Sequence, residues 1–251
     1  MARPVRMLVV ALLLAAAPGL AVAAGPGFPL EDSGADVGNQ PSLQRGAQLF
    51  MNYCLGCHSL EYVRYNTLAE GLGLTEAQVA ENLQFTGGSL HDTITIAMPE
   101  RDAAGWFGQA PPDLTLIARS RGEDYIYTFL KSFYVDPGSR LTGVNNKVLP
   151  GTSMPHVLWQ LQGLQEAVYR QETGPGGERI EVFEGFELAE PGSMTPEEYS
   201  QAARDITAFL SWAAEPMQLE RQRLGIWVLL FLAVLFVFSY LYYKELWKDV
   251  K

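Results

Sequence analysis

The chain has 251 residues, with 18 Lys and Arg against 28 Asp and Glu, three His, two Cys and a formal net charge of −10. An acidic balance without clustered Lys and Arg excludes nucleic acid as a partner, because phosphate binding needs concentrated positive charge. About 200 residues lie between two apolar ends, enough for one domain with its own core.

Arg3 and Arg6 precede the apolar run Met7 to Ala17, and small residues follow at Ala21-Val22-Ala23-Ala24. This grammar predicts a secretory signal peptide over residues 1–24, cut after Ala23 or Ala24. Without it 16 basic residues face 28 acidic ones, a net charge of −12. That balance suits a cationic protein partner steered in by long-range attraction. Residues 25–41, rich in Gly, Pro and acidic side chains, read as an extended lead-in. Leu43, Ala47, Phe50 and Cys54 are then spaced by four, three and four, which predicts a helix ending at the cysteines. Short helices are predicted over 73–83, 111–121 with Asp113 as its cap, and 123–133. Residues 135–155 and 171–194 read as loops, with a small hairpin at 180–188.

The clearest helix start is Thr195-Pro196-Glu197-Glu198, a capping box with proline at the first helical position. An apolar stripe of Tyr199, Ala202, Ile206, Phe209, Leu210 and Ala213 follows it. Residues 224–243 are twenty uncharged residues, long enough at about 1.5 Å each for the roughly 30 Å hydrocarbon core. Trp227 borders one end, and Tyr240, Tyr242, Tyr243 and Trp247 the other. Arg221 and Arg223 on one side balance Lys244, Lys248 and Lys251 on the other, so flanking charge leaves orientation open. The signal peptide places residues 42–223 outside the cytoplasm and 244–251 inside. The fold class is mostly α.

Both cysteines fall in Cys54-Leu55-Gly56-Cys57-His58. A redox dithiol expects a strand before the pair and alternating strands and helices around it, whereas a helix leads in here. A zinc site needs four ligands, and only His91 and His156 remain to assist. The third chemistry uses the adjacent histidine: two thiols bond the vinyl groups of a haem and the imidazole ligates its iron. An electron carrier needs a second axial ligand, for which Met98, Met154, His91 and His156 are candidates. Met154 lies in a rigid turn of Pro150, Gly151 and Pro155, while Met98 reads as core filling. An open sixth position would instead suggest a haem enzyme such as a peroxidase.

Several longer stretches carry a resemblance. RGAQLFMNYCLGCHSLEYVRY (45–65), APPDLTLIARSRGEDYIYTFL (110–130), PGTSMPHVLW (150–159) and MTPEEYSQAARDITAFLSWAAEPMQLERQRLG (194–225), with the apolar segment after them, resemble the cytochrome c1 family. That family supplies the haem subunit of the cytochrome bc1 complex. The resemblance implies a mostly α, enlarged class-I cytochrome c domain with a single C-terminal transmembrane helix. It implies one haem c, covalent through Cys54 and Cys57, with His58 and Met154 on the iron. It places Arg121, or secondarily Arg119, near a haem propionate, and Tyr125 against the ring. The implied partners are cytochrome b, the Rieske iron–sulfur protein and a cytochrome c acceptor, in a dimeric complex of the bacterial inner membrane. The haem domain then faces the periplasm, and the chain is no enzyme on its own but an electron-carrying part of quinol–cytochrome c reductase. Extra cysteines found in some relatives are missing here, so the 60–150 region must be held by packing. A membrane-anchored monohaem carrier feeding another oxidase or reductase is the alternative.

Overall fold

The computed structural model describes residues 27–86, 88–139, 141–173 and 178–249; the signal-peptide reading of residues 1–24 lies outside them. The lead-in from residue 27 has no regular structure but is tied down. Glu31 N donates to Thr128 Oγ1 (2.9 Å), Ser33 N to Asp124 Oδ1 (2.9 Å), and Arg204 Nε to Ser33 O (2.8 Å).

Two helices frame the domain. Helix α1 (Gln40–Tyr53) is capped by Asn39 and buries Leu43, Gly46, Ala47 and Phe50. It packs on a much later helix, Pro196–Ala214, which starts with the expected Thr195–Glu198 capping box, both hydrogen bonds made. Their crossing is close because residue 46 is glycine: a Cβ there would collide with the Asp205 carbonyl and the Phe209 Cβ. Asp205, 2% exposed, accepts from Ser42 Oγ, from Arg45 Nε (2.6 Å) and Nη2 (2.9 Å), and from Gln201 Nε2 (2.8 Å). Phe50 and Phe209 stack obliquely at 5.6 Å and Phe209 continues to Trp212.

Between the framing helices lie β1 (Leu60–Arg64), α2 (Tyr65–Leu72), α3 (Glu76–Asn82), β2 (Thr93–Ile94), α4 (Glu100–Phe107), α5 (Ile117–Arg121) and α6 (Glu123–Lys131). β1 and β2 pair antiparallel. Helix α3 starts at a Thr75–Gln78 capping box inside the stretch expected to be helical. The helix expected over 111–121 forms only at its end. Asp113 caps nothing there: its carboxylate accepts from Thr115 N (2.9 Å) and Glu61 N (2.8 Å), and Leu114 N bonds Ser59 O (3.0 Å). Residues 110–115 are therefore drawn out along the chain that follows the cysteines.

The later loops hold more strand than expected. β3 (Phe133–Val135) pairs with β4 (Val144–Asn146): β4 lies inside the segment read as loop, and β3 begins at the last residue of the helix expected over 123–133. After the single turn α7 (Trp159–Gln162), β5 (Gly163–Thr173) and β6 (Arg179–Pro191) form an antiparallel hairpin far longer than the one expected at 180–188. Two register irregularities, at Leu164/Gln165 and Val168/Tyr169, interrupt the period-two alternation that would have advertised it. The hairpin is fastened to β3–β4: Gln165 Nε2 donates to Lys131 O (2.8 Å) and Phe133 O (2.6 Å). Lys147 Nζ sits 4.5 Å from the ring centres of both Tyr169 and Phe183, a cation–π box closed by its bond to Tyr169 Oη. The helix Pro196–Ala214 is α8, and α9 (Gln218–Leu246) follows it. No side chain of α9 is buried, and Ile226, Trp227, Phe231, Phe236 and Phe238 lie open along it. Twenty-nine residues span about 43 Å, and so apolar a surface belongs in lipid rather than water. Helices dominate, and among the described residues this one helix is long and apolar enough to anchor the chain in a membrane.

Candidate haem site

Helix α1 ends at the cysteines. Cys54 N still bonds Phe50 O (2.8 Å), and the chain then curls around one oxygen: Cys57 N (3.0 Å) and His58 N (2.9 Å) both donate to Cys54 O. One tight turn thus gathers two thiols and an imidazole. The sulfurs are not joined to each other. Burial, with Cys57 beside it, pushes the Cys54 thiol up to about 12, and burial also raises Cys57. Both are therefore protonated at neutral pH, the reverse of the depressed thiol that a dithiol oxidoreductase requires. Among the described residues no group of three or more His, Cys, Asp or Glu is placed to hold a metal ion.

His58 is buried and its Nδ1 lies 2.7 Å from Pro112 O. A carbonyl only accepts, so Nδ1 carries the proton and donates, and Nε2 keeps its lone pair. Nε2 has no partner among the described residues. Burial lowers the pKa of His58, against the opposing pull of the Pro112 carbonyl and Asp113, so the ring is neutral. A neutral, oriented imidazole beside two unbonded thiols is the donor set that a covalent haem takes up. The drawn-out segment 110–115 thus has a task the sequence did not reveal: it supplies the carbonyl that aims His58.

Met154 is half-buried in the loop after β4, its N–H donating to Thr152 Oγ1 (3.3 Å), with Gly151 in the left-handed region (φ 77°). Met98 is not core filling. It is half-buried in a surface cleft of about 420 Å³ lined also by Ser59, Ile96, Ala103, Pro111 and Pro112. That cleft is lined in part by Pro112, whose carbonyl bonds His58. His91 is exposed on a turn. His156 is buried and stacked on Phe133 at 5.0 Å, and its Nε2 has no hydrogen-bond partner among the described residues; burial draws its pKa down to about 4.

The three remaining site candidates separate. Arg119 is committed elsewhere: with Arg221 it grips Glu215, joining α5 to the base of α9. Arg121 makes no ion pair among the described residues and lies 5.5 Å from the Tyr125 ring. From Tyr125 a ladder of rings continues to Phe129 (6.2 Å), Phe133 (5.1 Å) and His156 (5.0 Å). It links Arg121 and Tyr125, four residues apart across the helix break at Gly122, to the segment that carries Met154. Leu130 O accepts from Tyr199 Oη (2.8 Å), and Cys54, Leu55, Ile126, Leu130 and Leu158 share one buried cluster. The cysteine turn and the aromatic ladder are thus two walls of one core. Phe129, Phe133 and the Pro112 carbonyl were not singled out in the sequence, where they fall within segments read only as short helices.

Reduced thiols, an aimed neutral histidine and a membrane helix define a membrane-anchored c-type cytochrome with a single haem. The Cytochrome C1 family model matches residues 35–163 and 187–250, and the chain belongs to that family. Cytochrome c1 of Allochromatium vinosum is 52% identical over 98% of this chain and 99% of its own length. The ammonia monooxygenase gamma subunit of Nitrosomonas europaea is 38% identical over 99% of both chains. The cytochrome b/c1 protein of Bradyrhizobium diazoefficiens is 30% identical over 83% of this chain and 33% of its own length. The chain is therefore an electron-transfer subunit of a bc1 complex carrying one covalent haem c. The stretch between the two matched segments, 164–186, is most of the β5–β6 hairpin.

Proposed function

We propose that this subunit accepts single electrons from the Rieske iron–sulfur protein and delivers them to a cytochrome c on the periplasmic side. Cys54 and Cys57 would hold the haem through thioethers, His58 Nε2 and the Met154 sulfur would ligate its iron, Arg121 would pair with a propionate and Tyr125 would border the ring. When bound, the haem supplies a one-electron couple. The chain's own residues hold and tune it. The Pro112 carbonyl keeps His58 from turning and strengthens its lone pair as a donor. A methionine opposite favours the reduced iron and raises the potential. Arg121, without a carboxylate of its own, is free to make paired, charge-assisted hydrogen bonds to a propionate.

The observation that carries this reading is the His58–Pro112 hydrogen bond beside two unbonded cysteines. Cytochrome b is the proposed neighbour of α9; the name of the Bradyrhizobium relative joins the two cytochromes in one chain. The acidic hairpin, with Glu166, Glu172, Glu181, Glu184, Glu187 and Glu190 exposed or half-exposed, favours a basic acceptor. The name of the Nitrosomonas relative favours the alternative of a carrier serving another enzyme, at the lower of the two identities. The test is quinol-driven reduction of haem c in the purified complex with and without its iron–sulfur protein. Loss of reduction on its removal supports the proposal. Undiminished reduction contradicts it.

A further inference from the structure

We infer that Asn146 is a positioning residue for the sixth iron ligand: it braces the Met154 loop against the helix that forms the aromatic wall of the haem site. The inference rests on Met154 being that ligand. Asn146 is 0% exposed at the end of β4, and its amide ties four groups together. Oδ1 accepts from Val148 N (2.9 Å), Leu149 N (3.2 Å) and Ser132 Oγ (3.0 Å). Nδ2 donates to Phe129 O (2.8 Å), near the C-terminal end of α6, where helix carbonyls lack intrahelical partners. One side chain therefore fastens the first two free N–H groups of the loop to the helix carrying Tyr125 and Phe129.

The loop continues this relay. Thr152 N bonds Leu149 O (3.2 Å), and Thr152 Oγ1 takes the N–H of Met154 itself (3.3 Å). The neighbouring Asn145 adds a second anchor: its Oδ1 accepts from Gly151 N (2.8 Å) and its Nδ2 donates to Asp136 Oδ2 (2.8 Å). A thioether is a weak ligand whose occupancy depends on how little freedom its loop retains, so a brace at the loop root governs the bond at its tip. Other amino acids at 146 lack this geometry. Alanine strands the Val148 and Leu149 N–H groups and removes the shortest bond of Phe129 O and of Ser132 Oγ, which keep only each other and Ser132 N. Aspartate keeps the shape but sets a carboxylate oxygen against the Phe129 carbonyl.

The test uses the full chain in its solubilised membrane complex. It reads the near-infrared methionine-to-iron charge-transfer band, carbon monoxide binding to reduced haem c, and its midpoint potential. N146A is expected to lose the band, to lower the potential, and to raise the carbon monoxide-reactive fraction on the order of tenfold, the equivalent of one buried amide interaction. L68A, a core truncation outside the loop, is the control for general destabilisation and is expected to keep the band. M154L separates the two readings. If M154L keeps the band, the ligand assignment fails; if M154L loses it while N146A keeps it and stays inert to carbon monoxide, the brace fails. Should N146A not accumulate, N146D decides: a reactive fraction above wild type supports the inference, and a wild-type fraction overturns it.

Discussion

Replacing Asp205 by alanine should loosen the helix that delivers Cys54 and His58. The carboxylate is 2% exposed and receives Ser42 Oγ, two guanidinium nitrogens of Arg45 and Gln201 Nε2, so it latches α1 to α8. Ser42 is itself buried, and stranding its hydroxyl costs about 1–3 kcal/mol. The Arg45 side chain is 50% exposed and returns to water, so its lost ion pair adds no more than about 1 kcal/mol. The sum is about 1–4 kcal/mol, which for a chain of this size lowers Tm by roughly 2–16 °C. Thermal unfolding of the solubilised full chain, followed at the haem absorbance, reads this directly. D205N keeps the volume and some of the acceptors, and should fall between the two. A D205A midpoint within about 1 °C of wild type would refute the reasoning, because it would mean the latch carries no load in the assembled protein.

Gly46→Ala should destabilise by about 1–3 kcal/mol or more, since its methyl meets the Asp205 carbonyl, which is backbone and cannot swing aside; an unchanged denaturation midpoint would contradict the close crossing. Arg121→Gln should shift the haem midpoint potential and Arg119→Gln should not, because only Arg121 is free of a carboxylate; redox titration of both variants separates them, and equal shifts would remove the distinction. His156 gives a pH dependence. Its folded pKa, about 4, lies below the ordinary 6.5, so between those values the unfolded chain binds a proton that the folded chain refuses. Stability should rise with pH across that window by up to about 3 kcal/mol and level off above it. His156→Phe keeps a ring on Phe133 and should flatten the slope; urea midpoints at pH 4.5 and 7 test it, and an unchanged slope would assign the effect elsewhere.

What the sequence disclosed depended on how local the signal was. The α1 spacing, the Thr195–Glu198 cap, the uncharged run 224–243 and the Cys54-x-x-Cys57-His58 turn are all written within a few residues, and each is where it was expected. The Thr75–Gln78 cap was equally local and readable as T-E-A-Q, although the start at residue 73 overlooked it. Long-range partners were not legible. Arg119 and Arg121 differ only because Glu215 lies beside one of them, 96 residues away in the chain. Likewise the tie from His58 to Pro112 spans 54 residues and hides in a segment whose Asp113 mimics a helix cap. The hairpin failed for a different reason: its irregular register erased the alternation by which strands are recognised. Asn146 fell within a segment read as loop, and only its burial and bonds show that its amide is a structural joint.

The most direct test of the whole account is acid–acetone extraction of the purified full chain, followed by the alkaline pyridine spectrum of each phase. If Cys54 and Cys57 both hold the ring, the colour stays with the polypeptide at one haem per chain, with the spectrum of a haem that has lost both vinyl groups. Colour that passes into the acetone, or a spectrum with one or two intact vinyls, would contradict it.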